Sequence, residues 1–471
     1  MLFNTLQFGL FFGLVFGLWT VLADRPRERF LLLIGSSLYF YAAWNTRYLL
    51  LLGGVAGWDF LLGLALNRTE RPALRRAWMT LAVVGNLGVL GVWKYADFAL
   101  DTLRPLAALA HLSWPDALHL VLPVGISFFT FQGLGYVTDV YRRKKPAVEN
   151  FFEFFLALAF FPHLVAGPIV RPHELIPRLR SPQLLDEARF GRALLFFLRG
   201  LVKKSAADFL ASTLVDRVFD LPSHYSTAEA LGAIYGYALQ IYGDFSGYTD
   251  MAIGVAMVLG IDLPQNFDHP YASPNLQAFW RRWHMSLSSW LRDYLYITLG
   301  GSRRGFWRTQ LNLFLTMLLG GLWHGASWNF VIWGGIHGGM LVAERLWMEY
   351  RPPRLFQDAR VRTVLGTIIT FHIVATAWVF FRADSFEGAM ELLGRVWRGW
   401  GGGAANLNPP VLAVLGLGFA IHLCPPRWRT VGELWLIQSP ALVQGVTAMG
   451  CLYAARLLTG GSTQPFIYFQ F

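Results

Sequence analysis

The chain has 471 residues and a formal charge of +11; 55% of its residues are hydrophobic, 16% aromatic and only 15% charged. Soluble chains carry about 25% charged residues, so this one lacks the polar surface to clothe a soluble fold, and its mean hydropathy is +0.41. The composition excludes a disordered chain, a collagen-like fibre and a disulfide scaffold; it points to an all-α, polytopic integral membrane protein whose basic residues gather in cytoplasmic loops and beside headgroups, with no call for nucleic acid.

A spanning helix needs about 20 mostly apolar residues. Candidate segments in chain order are 2–23, 30–44, 48–66, 78–98, 118–140, 151–170, 190–214, 227–243, 245–262, 309–324, 327–347, 361–382, 410–424 and 439–458. Several are short or polar, so about ten or eleven spans are expected, with the remainder re-entrant or interfacial. Val21-Leu22-Ala23 resembles a signal cleavage site, but no positive charge precedes it and the apolar run is long; an uncleaved first span is expected. Arg25, Arg27 and Arg29, then Arg68, Arg71, Arg75 and Arg76, then Arg142, Arg143, Lys144 and Lys145 fall on one side when spans are counted alternately. By the positive-inside rule that side is cytoplasmic and the N-terminus faces outward. Arg171, Arg178 and Arg180 break the alternation. A re-entrant 151–170, broken at Pro162 and Gly167-Pro168, restores it.

No internal repeat and no inserted soluble domain is visible, so residues 1–471 read as a single membrane domain. Gly401–Gly403 and the stretch from Asn406 to Pro410 read as a flexible loop. Cys424 and Cys451 form no CxxC pair and read as small apolar residues.

Chemistry is sought where ionisable residues interrupt apolar sequence, because burying them there is costly. Asp244 lies in Gln240-Ile241-Tyr242-Gly243-Asp244-Phe245-Ser246-Gly247-Tyr248. It is either a cavity carboxylate or a cap at a glycine-broken helix junction. Ser273 or Asn275 can cap a helix starting near Leu276. Along that helix Trp280, His284 and Leu287 would share one face. Arg281, Arg282 and Arg292 prevent a plain spanning reading and suit an interfacial or re-entrant helix; they either anchor at headgroups or bind phosphates. His324 sits in Gly320-Gly321-Leu322-Trp323-His324-Gly325, among glycines that permit close approach. It is either a satisfied core residue or a catalyst. His337 is a weaker candidate. Neither has a carboxylate at ligand spacing, so no metal is expected.

These stretches resemble the membrane-bound O-acyltransferase family, and within it the alginate O-acetyltransferase branch. The resemblance is carried by Leu122-Pro123-Val124-Gly125-Ile126-Ser127-Phe128-Phe129, Phe161-Pro162-His163 with Ala166-Gly167-Pro168, and Asp244-Phe245-Ser246-Gly247-Tyr248. It is carried also by 266–301, Gly321-Leu322-Trp323-His324-Gly325, Trp378-Val379-Phe380-Phe381-Arg382 and Phe466-Ile467-Tyr468-Phe469. It implies a bundle of tilted helices around a central funnel in the bacterial inner membrane. It implies His324 as the catalytic histidine and His284 as a second active-site histidine, with Asp244, Tyr248, Asn275, Trp280, Arg281, Arg282, Trp323 and Asn329 lining the substrates. The donor would be acetyl-CoA or another acyl thioester, used as substrate with no resident cofactor. The acceptor would be an exported polysaccharide, reached through a periplasmic SGNH-type acetyltransferase or esterase partner.

The residue types suit that chemistry. A neutral imidazole takes the proton of an attacking hydroxyl, and a tetrahedral oxyanion needs N–H donors, for which Trp323, Asn329 and backbone amides near the glycines are candidates. Another cell-envelope glycan as acceptor, a transporter or flippase without covalent chemistry, and a scaffold of an export complex remain open from sequence.

Overall fold

The structure is a computed structural model; it describes residues 1–350, 358–398, 400, 402–460 and 464–467. Gly401, Tyr468 and Phe469 lie outside the described residues. The expected all-α class holds, with no strand among the described residues. The chain packs as two compact units, 1–186 with 255–264, and 187–254 with 265–471.

In the first unit the helix Ile126–Tyr141 is buried along nearly its whole length, with Tyr48–Arg68 and Pro72–Leu90 packed against it. Gly133 makes this approach possible: a Cβ there would collide with the Asp59 carboxylate. Asp59 is fully buried and accepts a 2.7 Å hydrogen bond from Asn86 Nδ2. At the far end of these helices stands Arg75. Its guanidinium donates to Thr69 O at 3.1 Å, Val140 O at 3.2 Å and Tyr141 O at 2.7 Å. A cation thus satisfies orphan carbonyls at two helix C-termini. Arg75, counted with the loop charges in the sequence, lies inside the helix Pro72–Leu90 and is only 7% exposed. The same contacts set the basic loops after Arg68 and Tyr141 side by side.

The segment 151–170 is broken, as expected: the first helix ends at Ala159, Pro162 lies in the first turn of the next, Phe161–Leu164, and no helix runs through Gly167-Pro168. Helix Phe151–Ala159 has nine residues, rising about 14 Å; the hydrocarbon core is about 30 Å thick. It cannot cross alone.

The second unit is built on residues 227–254 of Thr227–Val258, a single helix of 32 residues. The sequence suggested two helices meeting at Asp244, with glycines as the break. The glycines instead serve packing. A Cβ on Gly247 would lie 2.7 Å from Gly200 O and 3.0 Å from Lys204 N, and one on Gly243 would lie 2.9 Å from Lys203 O. Small residues four apart let Glu187–Leu210 press backbone to backbone on this helix. A second seam joins Phe306–His324 to Trp328–Tyr350, where a Cβ on Gly334 would lie 2.6 Å from Met317 O.

Among the described residues four helices are long and apolar enough to cross a membrane: Tyr48–Arg68, the continuous Pro72–Leu109, Ala359–Arg382 and Ala441–Thr459. Pro409–His422 with Pro426–Gln438, bent by 97°, would make a fifth.

Gly247→Val should drive the first seam apart and abolish a monodisperse protein in detergent, read by fluorescence-detected size exclusion. Gly450→Val, at a position with open space around it, should leave the profile unchanged. Equal profiles for both would refute the packing role of Gly247.

Candidate active site

The site begins with a helix that fails to continue. Asn275 Oδ1 accepts from Ala278 N at 2.7 Å and caps Leu276–Trp280, as its position predicts. That helix stops after five residues, and a new one, Met285–Trp290, starts after His284. Trp280 and His284 therefore do not share a helical face; this corrects the periodic reading. The cause is His284 itself, whose φ of 43° and ψ of 56° are left-handed. Such a conformation costs a bulky residue about 1–3 kcal/mol and persists only where its surroundings enforce it.

Asn266 enforces it. Its backbone carbonyl accepts from Met285 N at 2.9 Å. Its side-chain Oδ1 accepts from Ser286 N at 3.1 Å and Ser286 Oγ at 2.9 Å, and lies 3.2 Å from His284 Nδ1. Asp268 N donates to Arg282 O at 2.9 Å and closes the turn from the other side.

The His284 ring is fully buried. Phe245 meets it edge-on at 4.7 Å between centroids, and Trp323 and His324 stand at 6.1 Å and 6.4 Å. His324 ends its helix, 3% exposed, before Gly325. A side chain on Gly325 would strike the Phe330 ring. Around His324 stand Trp323 at 5.0 Å, Trp333 at 5.1 Å and Phe381 at 5.3 Å. Two imidazoles thus share one apolar, aromatic-walled place. That is the setting in which a neutral base can take a proton while bulk water is kept from a thioester.

The other expected site residues scatter. Trp323 joins the histidine pair. Trp280 stands edge-on to Trp333 and His337, at 5.7 Å and 5.1 Å. Asn329 Nδ2 donates to Ala383 O at 2.8 Å, so one of its two N–H groups is already engaged. Arg281 is exposed and Arg282 half-buried. Asp244 carries an ion pair: Lys204 Nζ is 2.5 Å from its Oδ1 and 2.7 Å from Asp208 Oδ1. Asp244 Oδ2 also accepts from Ile467 N at 2.7 Å, and Lys204 donates to Gln464 O at 3.2 Å. The segment 464–467 is thereby clamped against the long helix. Phe466 packs on Tyr248 at 5.0 Å and on Phe245 at 5.8 Å, and Phe245 supports His284. Asp244 and Tyr248 reach the histidines through this stack.

Sequence reasoning passed over the roles of Asn266, Lys204, Phe245 and Trp333. Lys204 was detectable as a charge inside the apolar run 190–214. Asn266 carried no comparable signal, since its role depends on a turn brought to it from 18 residues downstream. Among the described residues no three His, Cys, Asp or Glu side chains converge to hold a metal.

Removing Lys204 leaves two buried carboxylates uncompensated, at about 3–5 kcal/mol. Lys204→Met should therefore lower the melting temperature in detergent sharply, and the triple variant Lys204→Met, Asp208→Asn, Asp244→Asn should recover most of the loss. A Lys204→Met protein as stable as wild type would contradict the clamp.

Comparison with known proteins agrees with this architecture. The model of the MBOAT, membrane-bound O-acyltransferase family matches residues 140–382. A protein named probable alginate O-acetylase AlgI from Pseudomonas putida is 36% identical, over 98% of each chain. Its namesake from Azotobacter vinelandii is 40% identical, again over 98% of each. A peptidoglycan O-acetyltransferase from Helicobacter pylori is 37% identical over 79% of this chain and 74% of its own. With its apolar helices and buried histidine pair, the chain belongs to the membrane-bound O-acyltransferase family and is a multi-pass membrane O-acyltransferase.

Proposed function

We propose that the protein moves an acetyl group from a cytoplasmic thioester, acetyl-CoA, toward hydroxyls of an exported, alginate-like polysaccharide. It would do so in the bacterial inner membrane with its N-terminus outward. The observation that carries the reading is the enclosure of His284 and His324 at 6.4 Å in one aromatic-walled place, in a chain alignable end to end with alginate O-acetylases.

In this reading His324 is the general base. It takes the proton as the acceptor oxygen attacks the thioester carbonyl, and returns it to the departing thiolate, so that one C–S bond breaks and one C–O bond forms. Backbone amides near Gly325 and the Trp323 N–H face the developing oxyanion. An SGNH-type partner outside the membrane then moves the acyl group from that first ester to a glycan hydroxyl, breaking the first C–O bond, forming a second and releasing the first acceptor as its free hydroxyl. The Helicobacter relative favours a second reading with the same chemistry, in which the acceptor is peptidoglycan.

A deletion strain complemented at matched membrane levels tests the proposal. Ester-linked acetate on the secreted polysaccharide should return with wild type and fall at least 10²-fold with His324→Ala. Acetate restored equally by both would remove His324 from the mechanism. Acetate lost from peptidoglycan alone would select the second reading.

A further inference from the structure

We propose that Asn266 is a positioning residue that holds His284 in the tautomer protonated on Nδ1, so that Nε2 presents its lone pair as a hydrogen-bond acceptor in the site. The inference deepens the acyltransfer reading and rests on it for its consequence, but not for its geometry.

The hydrogen bonds of Ser286 fix the orientation of the Asn266 carboxamide. Ser286 N is an obligate donor, and it reaches the same Asn266 atom as Ser286 Oγ does. That atom is therefore the oxygen, because an amide NH2 there would set donor against donor. The oxygen can only accept. His284 Nδ1, 3.2 Å away, must then be the donor. The reverse tautomer would face two lone pairs across that distance. The doubly protonated ring would bury a cation at a fully enclosed position whose ring neighbours are Phe245, Phe267, Trp323 and the other titratable group, His324.

In a neutral imidazole with its proton on Nδ1, Nε2 is the acceptor. His284 Nε2 is buried and has no hydrogen-bond partner among the described residues. A buried acceptor without a partner fits a donor brought by substrate, and the chemical class is a hydroxyl. The left-handed backbone at His284 belongs to the same device. Asn266 binds the two residues that follow His284, Met285 and Ser286, and the ring itself, so one residue fixes where the imidazole is and which nitrogen is basic. The histidines then divide the work: His284 Nε2 accepts a hydrogen bond that orients the incoming hydroxyl, and His324 takes its proton.

The test separates tautomer from activity. Purified protein labelled with 15N-histidine gives the protonation state of each ring nitrogen by solid-state NMR, with His284→Gln assigning the resonance. The expected spectrum shows His284 protonated on Nδ1 and bare on Nε2. A ring protonated on Nε2, or on both nitrogens, overturns the proposal whether or not the protein transfers acetyl groups. If wild type shows no acetyl transfer, the functional reading fails while the spectrum still decides the tautomer. Kinetics supply the second arm. Asn266→Leu should lower kcat about 10²-fold with KM for acetyl-CoA unchanged. Asn266→Asp keeps an oxygen acceptor toward all three donors and should stay within about tenfold of wild type. If Asn266→Leu does not fold, the aspartate variant and the spectrum carry the test. An aspartate variant as inactive as His324→Ala, with Nδ1 still protonated, would also refute the assignment.

Discussion

A polar group inside an apolar bundle must find its partner within the protein, and this constraint shapes the molecule at every level. Water does not stand ready to satisfy Asp59, Arg75, Lys204 or Asn266. Each is met by another part of the chain: Asp59 by Asn86, Arg75 by helix-end carbonyls, Lys204 by two carboxylates, Asn266 by the turn around His284. Glycines at Gly133, Gly200, Gly243 and Gly247 let backbones come close enough for these meetings. The polar pairs fix which parts of a largely apolar chain lie together, a selectivity that nondirectional apolar contact lacks.

The histidine pair inherits its geometry from those fixed points. The Lys204 and Asp244 pair holds the segment 464–467, and Phe466 from that segment backs Phe245, which meets His284 edge-on. From the other side the hairpin of Phe306–His324 and Trp328–Tyr350 delivers His324 against Trp333. His284 is thus held by packing on one side and by the Asn266 carboxamide on the other; a polar group fixed in this way needs little reorganisation when charge develops beside it.

Much of this was legible in the residues. Composition fixed the all-α membrane class, and Asn275 marked its helix start. The motifs around His284 and His324 carried the family. What stayed hidden has a common cause. The Gly243 to Gly247 stretch reads as a break because glycine disfavours an isolated helix; tertiary packing against Gly200 reverses that preference. The interruption at His284 follows from a contact with Asn266 across 18 residues, and no local periodicity records it. Arg75 was counted as a loop charge because a sequence does not show which helix ends converge on it. Long-range polar partners, unlike apolar faces, leave no period in the sequence.

The central claim is that acetyl transfer occurs at the buried histidine pair, between a donor on one face of the membrane and an acceptor on the other. Proteoliposomes holding oriented protein, with radiolabelled acetyl-CoA supplied on the cytoplasmic face alone and a glycan acceptor with its SGNH-type partner on the opposite face, test it directly. The account predicts label in ester linkage on the acceptor side with wild type and at least 10²-fold less with His324→Ala. Equal labelling by the two proteins would contradict it.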